Sequence, residues 1–102
     1  MISNKLQKQW NMTIAELEEA KSIIPDNAKN IEEISQCLSE YKEFLEHNEL
    51  ELALDMLEEV GERINLPESY WRRAKKAAEI MGLSNRYPHY LEKIRKARKS
   101  AN

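Results

Sequence analysis

Four acidic side chains in the middle of the chain are spaced so that a helix would present them together to a positively charged partner. They follow one another at intervals of four, three and four residues and are Glu51, Asp55, Glu58 and Glu62. In a helix this spacing places them on one face, where like charges repel one another. Arg63 is the only basic residue nearby. The stripe therefore predicts a surface that meets a positively charged partner, the alternative being a solvated helix face.

Neighbouring carboxylates enlarge this candidate surface. The full set of candidate partner-binding residues is Glu40, Glu43, Glu51, Asp55, Glu58, Glu59 and Glu62. Catalysis by paired carboxylates would need two of them held across a cleft in contrasting environments, which exposed side chains on one helix do not provide. The pattern favours binding over hydrolysis.

Other catalytic and metal-binding patterns are missing from the sequence. His47 and His89 stand alone, without a second ligand three or four residues away, and Cys37 is the single cysteine. The chain has no glycine-rich phosphate loop, nucleophile elbow or dinucleotide fingerprint. We therefore expect a protein that is not an enzyme and that uses neither a metal nor a cofactor.

Charge is distributed unevenly, although the formal net charge of the 102 residues is only −2. Residues 1–69 contain six Lys/Arg and sixteen Asp/Glu, whereas residues 70–102 contain ten Lys/Arg and two Asp/Glu. Two uses are open: the basic segment could pack beside the acidic one, or each could meet an external partner. The alternative function is accordingly a small nucleic-acid-binding or regulatory adaptor that uses the basic region 70–99, although the acidic remainder would repel a duplex.

Helix-forming residues dominate, and no segment alternates with a period of two, so the sequence predicts an all-α protein without a sheet. We expect a compact bundle of five to six short helices near 13–24, 31–46, 49–64, 67–81 and 88–99, with a short helical lead at 3–11. Capping boxes are predicted at Thr13, Asn30 and Asn48, and a C-terminal cap at Gly82. Residues 1–102 should form one domain, with the basic helix 88–99 as a candidate peripheral element.

Apolar residues at helical spacing define the predicted core. The middle helix offers Leu50, Ala53, Leu57, Val60 and Ile64. The helix before it offers Ile31, Ile34, Leu38, Tyr41 and Leu45, and Trp10 and Trp71 are expected to be core anchors. The first ten residues lack the apolar stretch of a signal peptide, and no run is long enough to span a membrane. These features favour the cytoplasm.

Residues 41–83 resemble the small helical immunity proteins of bacterial toxin systems, of the Maf type and of contact-dependent growth inhibition. The segments that carry the resemblance are Phe44-Leu45-Glu46-His47-Asn48-Glu49, Leu50-Glu51-Leu52-Ala53-Leu54-Asp55-Met56-Leu57, Ile64-Asn65-Leu66-Pro67 and Ala77-Ala78-Glu79-Ile80-Met81-Gly82-Leu83. The resemblance covers under half of the chain and implies a cytoplasmic antidote that binds a cognate toxin C-terminal domain, often a nuclease. A nuclease site is cationic, so an acidic helix face could occupy it.

Overall fold

Five α-helices, connected by short loops, account for most of the chain in the computed structural model, which describes residues 3–100. The helices are α1 Asn4–Ile23, α2 Glu32–Glu46, α3 Leu50–Arg63, α4 Glu68–Met81 and α5 Tyr87–Ser100. Single 3₁₀ turns at Ala28–Asn30 and Ser84–Arg86 precede α2 and α5. No strand occurs among residues 3–100, so the predicted all-α class is confirmed. The ends of the predicted domain, residues 1, 2, 101 and 102, lie outside the described part.

The predicted lead at 3–11 is not a separate element, because it is continuous with the first helix. Residues 4–12 contain neither glycine nor proline, so nothing interrupts the helix upstream of Thr13. Helix α1 instead begins after Ser3, whose hydroxyl accepts a hydrogen bond from the Leu6 amide at 3.1 Å. The capping box predicted at Thr13 is therefore wrong, and its hydroxyl donates to the Gln9 carbonyl at 2.9 Å inside the helix.

Helices α2 and α3 form a hairpin around a three-residue corner. Asn48 adopts φ +55° there, a left-handed conformation that asparagine tolerates better than most residues. The two other predicted capping boxes are absent, because α2 starts after Ile31 and α3 after Glu49, each without a side-chain cap. Gly82 ends α4 at φ +73°, as predicted.

Helices α3 and α4 lie at the centre of the bundle. Helix α1 packs mainly on α4, α2 packs on α3, and α5 packs on α4. Of the predicted core face of α3, Leu50, Ala53, Leu57 and Val60 are buried, as predicted. Ile64, which follows the last helical residue, is only partly buried. Ile31 lies outside the core because it precedes α2, and 44% of it is exposed.

Trp71 closes the core between α3, α4 and α5. Its indole packs so tightly against Gly61 of α3 that a Cβ atom at that position would overlap the ring. Tyr70 contacts the ring edge-on, and His89 approaches it from α5. Gly61 therefore allows α3 and α4 to approach closely enough to bury the indole.

Of the described helices, none combines the length and the apolar character needed to cross a membrane.

Candidate functional site

Arg86 lies against the acidic stripe of α3 and neutralises most of it. Its guanidinium nitrogens lie 2.6 Å from Asp55 Oδ1, 2.6 Å from Glu58 Oε2 and 3.3 Å from Glu51 Oε2. The 3₁₀ turn that leads into α5 positions this side chain, of which only 15% remains exposed. One cation thus bridges three carboxylates that repel one another along α3.

Helix α5 continues the same pairing toward the end of α3. The Lys93 ammonium lies 3.0 Å from one Glu62 carboxylate oxygen, and His89 Nε2 lies 3.0 Å from the other. The hydrogen bond from Lys93 lowers the pKa of Glu62 despite the opposing effect of burial. The prediction that this stripe lacks basic partners is therefore wrong. The basic partners come from residues 27 or more positions away in sequence, which spacing within one helix cannot reveal.

Tyr90 joins the ionic cluster to the apolar core. Its side chain is fully buried, and its hydroxyl donates a hydrogen bond to Glu58 Oε2 at 2.8 Å. The same carboxylate therefore receives both a guanidinium and a phenol, which satisfies a partly buried charge. Of the two uses weighed for the uneven charge, internal packing of the basic segment beside the acidic one is confirmed for these residues.

Replacing Arg86 by methionine should lower the free energy of unfolding by about 2–4 kcal/mol, because three clustered carboxylates lose their common cation. Urea denaturation at neutral pH measures this change. The matched control is Arg63→Met, whose ion pair with Glu59 joins two side chains that are each nearly half exposed. That control should change stability by less than about 1 kcal/mol. Equal losses in the two variants would contradict the structural importance assigned to Arg86.

The basic region 70–99 is also largely paired within the molecule. Arg72 and Arg98 both bind Glu68, and their hydrogen bonds, led by that of Arg98, lower the pKa of Glu68 to about 2. Arg73 reaches Glu16 on α1 at 3.1 Å. Further ion pairs within this region are Lys75–Glu79, Arg95–Glu92 and Lys96–Glu92. These pairs reduce the positive charge that a nucleic-acid backbone would meet, which weakens the alternative function.

Most of the carboxylates that stay unpaired within residues 3–100 lie on α2, and none of them lies on α3. The acidic residues of α2 are Glu32, Glu33, Glu40, Glu43 and Glu46. None of them lies within ion-pair distance of a basic side chain in the described part of the chain. Lys42 is the only basic residue of α2. We call these five residues the α2 acidic face.

Two predicted partner-binding residues, Glu40 and Glu43, belong to this face, whereas Glu59 pairs with Arg63. The other three residues of the α2 acidic face, Glu32, Glu33 and Glu46, were not predicted. The composition of α2 does indicate them, since its fifteen residues contain five glutamates and one lysine. The core side of α2 is occupied by Ile34, Cys37 and Tyr41, so the charged side chains point to the opposite side.

A cleft of about 520 Å³ borders the α2 acidic face where α2 meets α3. Glu33 and Glu40 line it from α2, and Glu59 and Arg63 line it from α3. Cys37 and Met56 supply apolar surface within it. Burial raises the pKa of the Cys37 thiol, so this cysteine stays protonated and unreactive at neutral pH. The cleft suits an extended basic side chain, whose apolar stem can contact Met56 while its charge meets a carboxylate.

Metal ligation finds no support in the described residues, where no three His, Cys, Asp or Glu side chains come together in a way that could hold an ion.

In comparisons with protein-family models, with curated proteins and with solved structures, nothing matches this chain.

Proposed function

We propose that this chain is an immunity protein, which binds a cognate bacterial toxin domain and neutralises it. The observation that supports the proposal best is the α2 acidic face, which carries five glutamates without ion-pair partners among the described residues. Unpaired like charges on one helix cost stability, and a complementary partner relieves that cost. The resemblance of residues 41–83 to toxin immunity proteins is consistent with this function.

The proposed contact surface differs from the stripe indicated by the sequence. Glu51, Asp55, Glu58 and Glu62 already have cations of their own, so a partner would have to displace Arg86 or Lys93 to reach them. Glu40 and Glu43 remain available for contact. In this proposal α3 and α5 support the fold, and α2 provides the charge that attracts the partner.

A cationic toxin site, such as that of a nuclease, is the partner that this surface fits. Several carboxylates on one face steer a positively charged domain during diffusion and accelerate association. The neighbouring cleft would accept a lysine or arginine from the partner between α2 and α3. The chain would act in the cytoplasm and without catalysis, because an antidote has only to block the toxin.

The toxin should be encoded next to the gene for this chain, and its C-terminal domain provides the test. We expect co-expression of this chain to restore growth to bacteria that produce the toxin domain. Surface plasmon resonance should detect direct binding that weakens as salt is added, since exposed charges are screened beyond about 8–10 Å at physiological ionic strength.

Reversal of one charge on the α2 acidic face, Glu43→Lys, should weaken toxin binding by about tenfold or more, mainly through slower association. The matched control is Glu19→Lys, which makes the same change in net charge on the exposed side of α1. That control should stay within about twofold of wild type, because exposed charges away from an interface contribute little. Equal effects of the two reversals would show that the α2 acidic face is not the binding surface. A toxin domain that binds neither variant nor wild type would refute the function itself.

A further inference from the structure

An apolar cleft of about 400 Å³ lies at the end of the bundle where the N-terminal half of α1 meets the start of α3 and the end of α4. Its apolar lining comes from all three of these regions and consists of Leu6, Trp10, Leu50, Leu52, Met81 and Leu83. Its uncharged polar lining consists of Gln9, Thr13 and Asn48. We call it the Trp10 cleft. Trp10 was expected to be a core anchor, but it is only half-buried here and forms part of the wall.

Two of the exposed large apolar side chains within residues 3–100 line the Trp10 cleft. Leu6 is 38% exposed and Leu52 is 43% exposed, and these two residues line the cleft from α1 and α3. The Gln9 amide donates a hydrogen bond to the Ile80 carbonyl at 2.7 Å, which ties the N-terminal half of α1 to α4. A half-buried tryptophan beside exposed leucines is a combination found at the centre of protein interfaces.

The charges around the cleft indicate what should occupy it. Its charged lining residues are Glu49 and Glu51, and no lysine, arginine or histidine lines it. The Glu49 carboxylate has no ion-pair partner within residues 3–100, whereas Glu51 lies 3.3 Å from Arg86. Glu49 is the last residue of the corner between α2 and α3, so the cleft and the α2 acidic face belong to neighbouring parts of the α2–α3 hairpin.

We infer that the Trp10 cleft docks a basic segment of a protein partner that carries one large apolar side chain. That side chain enters between Leu6, Trp10 and Leu52, and a flanking lysine or arginine pairs with Glu49. The inference rests on the proposed function for the identity of the partner, the toxin domain. The chemistry of the cleft can be tested without any toxin.

The competing occupant is a carboxylate. The N-terminus of α3 borders the cleft, and the amides of a first helical turn favour anions. The two candidate occupants, a basic segment and a carboxylate, carry charges of opposite sign, so probes of opposite charge distinguish them. Three capped pentapeptides serve as probes: Lys-Lys-Leu-Lys-Lys, the same peptide with serine in place of leucine, and Glu-Glu-Leu-Glu-Glu.

Nuclear magnetic resonance of the indole N–H groups reads out binding, with the buried Trp71 as an internal reference. The basic leucine peptide should shift the Trp10 signal saturably, with a Kd on the order of millimolar, because short flexible ligands lose much binding energy to ordering. The serine and glutamate peptides should bind at least about fivefold more weakly. Equal or tighter binding of the glutamate peptide, or no shift with the basic peptide, would overturn the inference.

Two leucine variants provide the matched comparison. Leu52→Ser removes an exposed leucine from the cleft, and Leu91→Ser removes one that is 54% exposed on α5, away from the cleft. Only Leu52→Ser should weaken peptide binding, and equal loss in both variants would overturn the inference. Peptide binding should persist in Glu43→Lys. A chain that binds the peptide but neutralises no toxin would refute the proposed function and leave the cleft assignment intact.

Discussion

Raising the pH above about 10 should unfold this protein steeply, with a loss of about 4 kcal/mol of stability per pH unit. Tyr41, Tyr70 and Tyr90 are each at most 1% exposed. Burial raises the pKa of all three above the ordinary value near 10. Their hydroxyls donate hydrogen bonds to Glu18, to the Leu57 carbonyl and to Glu58, respectively. Only the protonated phenol can make those bonds.

The direction of the pH effect follows from the raised pKa values. Below pH 10 the tyrosines are protonated in both states and the stabilisation is complete. Above pH 10 the unfolded chain releases these protons while the folded chain retains them, so stability falls by about 1.4 kcal/mol per tyrosine and pH unit. A domain with about 5–15 kcal/mol of stability should therefore unfold within a few pH units.

Tyrosinate absorbance and the helical circular dichroism signal, recorded together during titration with base, test this expectation. Ionisation of the buried tyrosines should coincide with the loss of helix. The variant Tyr70→Phe should reduce the slope of stability against pH by about one third, because one of the three linked protons is removed. Full ionisation of all tyrosines in a protein that remains helical would contradict the burial of these phenols.

Truncation of Leu57 to alanine should lower the free energy of unfolding by about 2–5 kcal/mol, the range found for buried leucines. Leu57 is fully buried in the middle of α3, and its carbonyl accepts a 2.6 Å hydrogen bond from the Tyr70 hydroxyl. The truncation would open a cavity where α3 packs on α4, the two central helices.

Leu52→Ala on the same helix is the matched control, because Leu52 is 43% exposed. Its effect should lie within about 0.5 kcal/mol, as for most surface substitutions. Urea denaturation of both variants, analysed with a common slope, gives the comparison. A larger loss for Leu52→Ala than for Leu57→Ala would mean that the two faces of α3 are assigned the wrong way round.

The paired carboxylates of α3 and the unpaired carboxylates of α2 should respond differently to mutation. The α3 stripe and the basic segment that covers it form an internal surface, and disrupting it should unfold the protein rather than weaken binding. Mutations such as Glu58→Lys should therefore lower the free energy of unfolding. Charge reversals on α2 should affect binding without this loss of stability, because Glu43 has no intramolecular ion pair to lose within the described residues.

Local sequence determined the helical class and the faces of several helices. Leucine and alanine at intervals of three and four residues can be buried together only on one side of a helix, which is why Leu50, Ala53 and Leu57 were identified correctly. Gly82 is predictable as a C-terminal cap because glycine has no Cβ atom and so adopts the left-handed conformation without a steric penalty. These features depend on near neighbours along the chain.

Helix starts were less predictable. Thr13 and Asn30 have the side chains of capping residues, but tertiary packing and the helix-forming residues upstream decide where a helix begins. The lead at 3–11 therefore continues into α1. As part of that helix it brings Leu6 and Trp10 alongside α3 and α4, so the Trp10 cleft also depends on the folded chain.

Which carboxylates are neutralised depends on contacts between helices that are far apart in sequence. Arg86 and Lys93 are separated from the α3 stripe by a whole helix, and they reach it because α5 folds back along α4. Ion pairing depends on distances of a few ångströms in space, whereas helical spacing reports only neighbours within one element. Composition and helical periodicity are therefore enough to predict how much acidic charge the chain carries and that most of it lies on helices. The fold determined that the charge of α3 is paired internally and that the charge of α2 faces outward.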